Sequence, residues 1–222
     1  MIVVIGAIGL RGTIEEPAAD GLAPEIASAA AAAGARVELI SKAGDDPAGD
    51  AVMLALAGAG VGHVATLRDP ARLTPVRSRP DEPTDPADPA VDAAAAAAVD
   101  GEAEAPGEAQ PSPDPEPTLE AADVSLALQY LTDFQVLVTV HASPDLLAEA
   151  VSAAGWTGAR LVVVVAQESD VPAGVPADAL VVAAAAGDAE GVGARIGRYA
   201  AALSRGDDAA TAYRDLTAAP ST

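Results

Sequence analysis

Short runs of β-branched and aliphatic residues alternate with alanine-rich stretches of helical length, and this alternation limits the fold more than any other feature of the chain. Met1–Ile5 is an apolar run closed by Gly6. Arg36–Ser41, His63–Leu67, Val136–Val140, Leu161–Ala166 and Leu180–Val182 repeat the theme. Between and after them the sequence predicts helices over Pro24–Ala33, Asp50–Ala59, Asp145–Ala154, Gly193–Arg205 and Ala209–Ala218. Gly34 and Gly60 stop the first two, and Ser143 with Pro144 opens the third. Continuous apolar strands joined through helices predict a mainly parallel sheet covered on both faces, a three-layer α/β/α domain. Alanine supplies 57 of the 222 residues and only five are aromatic, so the helices pack closely around a thin, aliphatic core.

Charge and composition narrow the function. With 33 acids against 12 bases the formal net charge is −21, which opposes nucleic-acid backbones and anionic membrane surfaces alike. The absence of cysteine excludes disulfides, thiolate metal sites and thiol nucleophiles, and two histidines leave little for a His-based metal site. No apolar window approaches the ~18 residues of a membrane span. The N-terminal run has no basic residues before it and reads as a buried strand, so a cytoplasmic protein is expected. The middle of the chain differs. Between 81 and 120 there are twelve acids and no Lys or Arg, and nine prolines fall between 80 and 117. That composition predicts a disordered acidic insert over 80–117, which divides one α/β domain into 1–79 and 118–222.

The most informative segment is Ala43-Gly44-Asp45-Asp46-Pro47-Ala48-Gly49, placed between a predicted strand and a predicted helix. On physical grounds Gly44 and Gly49 are expected at positive φ in a tight turn, with Asp45 or Asp46 capping the helix. Upstream stand Asp20-Gly21-Leu22-Ala23-Pro24-Glu25 and Ala33-Gly34; downstream stand Gly60-Val61. In this order the residues resemble the first signature of the ribokinase-like (PfkB) family of carbohydrate and nucleoside kinases. The resemblance implies substrate contacts at Gly21, Glu25, Gly44 and Asp46, with Glu25 standing where the family has Asn. It also places Arg11 and Gly12 near the position of a sugar-binding Asp.

The second half is similar to the same family over Ala121–Val124, read as the entry to the central sheet, and over Ala186-Gly187-Asp188-Ala189. The resemblance makes Asp188 the general base and Gly187 part of the phosphate-binding turn. Counting back from Ser204-Arg205-Gly206 without a gap puts Gly193 at the base position instead. The family's first glycine there is replaced by alanine, no Phe follows Asp188, and no Asn-x-x-Glu magnesium region or lid strands are evident. These departures predict a ribokinase-like domain with the lid reduced or absent. Its function is expected to be that of a carbohydrate-kinase-like protein with weakened or lost phosphoryl transfer and a binding or regulatory role. An active ATP-dependent sugar or nucleoside kinase and a non-enzymatic interaction protein using the acidic insert stay open as alternatives. ATP and Mg²⁺ are the expected cofactors of an active enzyme, with no metal-ligating residues assigned. A sugar or nucleoside is the expected small-molecule partner, and a homodimer is left open.

Other constellations are weaker. Gly6-Ala7-Ile8-Gly9-Leu10-Arg11-Gly12 has Gly-x-x-Gly-x-x-Gly spacing rather than the dinucleotide fingerprint, and no helix follows directly. It marks the carboxyl edge of a strand, where open α/β sheets bind ligands and where Arg11 can meet an anion. His141, Ser143 and Asp145 are neighbours in sequence, and helix capping accounts for Ser143 better than a hydrolytic triad does. Trp156 is expected to anchor the core. Glu168 and Asp170 follow a predicted strand as candidate hydroxyl or metal ligands.

Overall fold

The computed structural model describes residues 1–77, 116–167, 171–184 and 189–217. Most of the acidic segment, Glu168, Asp170, Gly187 and Asp188 lie outside the described residues.

Six strands form one parallel sheet: β1 (Ile2–Ile5), β4 (Val37–Gly44), β5 (Thr66–Asp69), β7 (Val136–Val140), β8 (Arg160–Val165) and β9 (Leu180–Ala183), in the order β5-β4-β1-β7-β8-β9. Alternation assigns the side chains to two layers. Ile2, Val4, Leu39, Val138 and Val162 face one apolar cluster, whereas Val3, Ile5, Ile40, Leu137 and Val163 face the other. The first cluster is closed by α1 (Leu22–Ala32), α2 (Pro47–Gly58), α5 (Ala189–Ser204) and α6 (Ala209–Thr217). The second is closed by α3 (Ala121–Tyr130) and α4 (Pro144–Thr157). This is the three-layer α/β/α arrangement expected from the alternation of runs.

The boundaries moved where local chemistry allowed. β4 continues to Gly44, three residues beyond Ser41, and β5 starts at Thr66 rather than His63. Ala121–Val124 is the first turn of helix α3, not a sheet entry; Asp123 accepts from the Glu120 amide and fixes the helix start. Trp156 is 88% exposed near the C-terminus of α4 and anchors no core.

A second, small sheet was hidden from sequence patterning. Its strands β2 (Gly9–Gly12), β3 (Pro17–Asp20) and β6 (Val76–Arg77) are ordered β3-β2-β6. Where a lid reduced or absent was expected, the described residues hold this sheet of three short strands. Gly6–Gly12 is accordingly not one glycine loop, because Gly9–Gly12 is paired on both sides. Glu116 and Pro117, assigned by composition to the insert, border the same cleft as the small sheet.

Thr139 is wholly buried on β7, and its Oγ1 has no hydrogen-bond partner among the described residues. A buried hydroxyl left unpaired costs about 1–3 kcal/mol, and Val has nearly the same shape. Thr139→Val is expected to raise stability by ~1 kcal/mol in urea unfolding, with the slope unchanged. A lower midpoint would mean that the hydroxyl is satisfied.

Candidate functional site

The strand order reverses about β1. The chain builds outward through β4 and β5, then returns to the other side of β1 with β7, β8 and β9. Neighbouring loops diverge at such a switch point and leave a crevice beyond the carboxyl ends of the strands. A cleft of about 470 Å³ lies there. Its floor is Ile5-Gly6-Ala7 after β1 and Val140-His141-Ala142 after β7, and Gly9, Arg11, Asp20 and Arg77 of the small sheet border it.

Register explains how these side chains meet. Gly9 pairs with Asp20 and Arg11 with Ala18 in the antiparallel β2–β3 ladder, so Arg11 and Asp20 are diagonal neighbours on one face. Arg11 donates to Asp20 Oδ1 through both Nε, at 2.9 Å, and Nη2. Arg77, paired with Arg11 across the β2–β6 ladder, places its Nε 3.3 Å from Asp20 Oδ2. One buried carboxylate thus holds two guanidinium groups.

Three other features shape the cleft. Gly21 caps α1 at φ 114°, a backbone conformation that suits glycine, and offers no side-chain cap. Leu22 and Ala23, whose amides are unpaired within the helix by position, border the cleft. Lys42, a charged residue in an otherwise buried strand, lines the cleft and places Nζ 3.0 Å from Asp123 Oδ2. His141 sits in the left-handed region at φ 48°, and its Nε2 lies 2.8 Å from the Ala184 carbonyl. A carbonyl only accepts, so Nε2 carries the proton. Strain of this kind in a non-glycine residue is concentrated at functional sites. Ser143 accepts from the Leu146 amide as the cap of α4, as expected from sequence.

The predicted site residues divide. Arg11 and Gly21 line the cleft. Glu25 lies in the first turn of α1 without lining it; Gly193 packs against Glu25, so the alternative base position carries no side chain and faces a carboxylate stem. Gly44 and Asp46, expected to touch substrate, are in the β4–α2 turn and do not line the cleft. Asp46 caps α2: its Oδ1 accepts from the Gly49 amide at 2.6 Å and from Thr74 Oγ1 at 2.8 Å, and its Oδ2 accepts from the Thr74 amide at 2.7 Å. Neither Gly44 nor Gly49 has positive φ, contrary to expectation. Space is what Gly44 supplies, since a Cβ there would lie 2.6 Å from the Arg72 carbonyl oxygen. Sequence reading did not assign Asp20, Lys42, Arg77 or His141 to this cleft. His141 carried a signal, closing the apolar run Val136–Val140 at a predicted strand end; Lys42 follows Ser41, just past the predicted end of its strand.

A second groove of similar volume lies at the other end of α1, lined by Ala33 with Arg195, Arg198, Tyr199, Arg205 and Asp207. It borders none of the sheet's carboxyl edges.

No protein-family model and no curated protein sequence matches the chain. Solved structures do. A proposed ribokinase II from Escherichia coli, in its apo form, is 15% identical with a TM-score of 0.64, covering 98% of this chain and 90% of that one. The fold is that of the ribokinase-like sugar kinases. A PfkB protein from Polaromonas sp. JS666 is 15% identical at a TM-score of 0.51, covering 73% of this chain and 54% of that one. An uncharacterized sugar kinase from Pyrococcus horikoshii, in complex with ATP, is 14% identical at a TM-score of 0.50. The chain covers 54% of that kinase, so it spans about half the length of the first structures it resembles. Within the ribokinase-like fold the Gly-Asp-Asp turn of this chain is an architectural joint. Among the described residues no helix is long and apolar enough to cross a membrane.

Burial pushes the Asp46 carboxyl upward, but the hydrogen bonds from Thr74 and Gly49 and the charge of Arg68 outweigh it and hold the group below its ordinary value. A depressed carboxyl stabilises the fold above the unfolded-state value, and that contribution is lost as pH falls through the lower native value. Asp46→Asn keeps one acceptor but turns the other towards the Thr74 amide as a donor. It is expected to cost ~1–2 kcal/mol at neutral pH. The gap between wild type and variant should close as pH falls through that window in denaturant titrations. A gap that stays constant with pH would contradict the charged cap.

Proposed function

We propose that this chain is a carbohydrate-kinase-like protein whose switch-point cleft binds a small polyhydroxylated ligand, a sugar or nucleoside, and whose phosphoryl transfer from ATP is weak. The observation that carries the reading is the cleft itself: it lies beyond the carboxyl ends of β1 and β7 and is bordered by a small sheet, within the ribokinase-like fold. The ATP bound by the Pyrococcus horikoshii kinase supports ATP as the phosphate donor.

Asp188 is the base in this reading, and Gly187 belongs to the phosphate turn. Support comes from the residues on either side. The chain leaves β9 beside His141 at Ala184, then begins α5 at Ala189, and Gly193 of α5 packs against the first turn of α1. In the transfer the substrate hydroxyl gives its proton to the Asp188 carboxylate as its oxygen bonds to the γ-phosphorus. The bond from that phosphorus to the ADP oxygen breaks. Helix N–H groups held towards the transferred group stabilise its charge without reorganisation.

Magnesium bound with a nucleotide is held chiefly by phosphates and water, with one or two carboxylates. Among the described residues no three His, Cys, Asp or Glu side chains converge on a metal position. Weak transfer follows from the replaced glycine before Gly187 and the absent Asn-x-x-Glu, since phosphoryl transfer depends on positioning and charge neutralisation.

The test is sugar-dependent ADP production from ATP·Mg across sugars and nucleosides, for wild type and Asp188→Asn. Slow turnover that falls at least about a hundredfold in Asp188→Asn is expected. Turnover that survives the substitution would place the base elsewhere. Fast turnover would make the chain an active kinase, and no saturable binding of any sugar or nucleoside would remove the ligand reading.

A further inference from the structure

We infer that the ligand taken by the cleft carries an oxyanion, a carboxylate or a phosphate, bound between Arg11 and Arg77; this rests on the reading of the cleft as the ligand site. The first support is the small sheet. Arg11 and Arg77 stand directly opposite each other on adjacent strands, an arrangement that like charges make unfavourable. Among the described residues only Asp20 pairs with both, so the three groups together keep one surplus positive charge. Asp20 Oδ1 takes Nε and Nη2 of Arg11, and Oδ2 faces Nε of Arg77. Among the described residues the Nη1 group of Arg11 and both Nη groups of Arg77 are left over, and guanidinium donors of this geometry match carboxylate and phosphate oxygens.

The second support is independent of the arginines. The N-terminus of α1, an eleven-residue helix with no side-chain cap, opens on the same cleft through Leu22 and Ala23. Its unpaired amides and the positive end of its dipole favour negative charge at that point. Lys42 lines the cleft as well, although Asp123 balances it. Glu116 is the other acidic residue bordering the cleft besides Asp20, so with Lys42 balanced by Asp123 the positive surplus is local to Arg11, Asp20 and Arg77. In a chain of net charge −21, three of its twelve bases are gathered there. Neutral sugars need donors and acceptors but no surplus charge. An anionic substituent uses the surplus and relieves the opposition of the two guanidinium groups.

The experiment is calorimetric titration of the full chain with matched pairs: glucose and gluconate, fructose and fructose 6-phosphate, ribose and ribose 5-phosphate. No ATP is present, so the outcome does not depend on phosphoryl transfer, and a protein that transfers no phosphate can still show the preference. The anionic member of at least one pair is expected to bind about tenfold or more tightly than its neutral partner. Whether gluconate or the phosphate esters show it separates carboxylate from phosphate. Arg77 is 70% exposed, so Arg77→Gln should fold, with a thermal melt as the check. It is expected to cut the preference to threefold or less. For wild type, raising salt should weaken the anionic member selectively, a readout that needs no variant. Equal or tighter binding of neutral members, binding of neither member in every pair, or a preference untouched by both Arg77→Gln and salt would overturn the inference. Neutral sugars that bind and are phosphorylated would overturn it while leaving the kinase-like reading intact.

Discussion

β1 is four residues long, and all four side chains are at most 1% exposed. A strand buried on both faces must have a neighbour on each side and a helical layer above and below. That requirement sets the rest of the structure. β4 and β7 flank β1, and α1 leads the chain from the region of Gly21 down to the start of β4. Because the chain extends the sheet first to one side of β1 and then to the other, the crevice opens at its carboxyl end. The cleft is thus a consequence of where the most buried strand lies.

Within that frame the alanine-rich composition has a structural use. α1 and α5 cross with little between them: a Cβ added at Gly197 would lie 2.5 Å from the Ile26 carbonyl oxygen. Small residues at this contact let the two helices approach, and the close approach brings the beginning of α5 beside the first turn of α1. A core of large aliphatic side chains would hold them apart and widen the region where phosphate chemistry is proposed. The Asp46 hub plays the corresponding part after β4, tying the start of α2 to Thr74 and so to the strand that follows it, β6.

Much of the large sheet was legible in the sequence because each of its strands is a short apolar run bounded by turn residues. Val136–Val140 was placed as observed, and Ser143 and Pro144 fixed the helix after it. The small sheet was not legible. β2 and β3 are four residues each and contain glycine, proline and charge, and β6 has two residues, so none has a period to detect. Its strands exist through pairing across long stretches of chain. The arginine pair was unreadable for the same reason, since only the ladder puts Arg77 beside Arg11. Trp156 and Ala121–Val124 were misplaced because local pattern does not reveal which helix face meets the sheet.

Whether ligands enter the switch-point cleft can be read from backbone NMR of the full chain titrated with ATP·Mg, the sugars and the sugar anions. The sugars or their anions are expected to shift the amides of Gly9, Arg11, Gly21 and His141 together and saturably. Shifts confined to the groove of Arg195, Arg198 and Arg205, with the cleft amides unmoved, would contradict binding in the cleft.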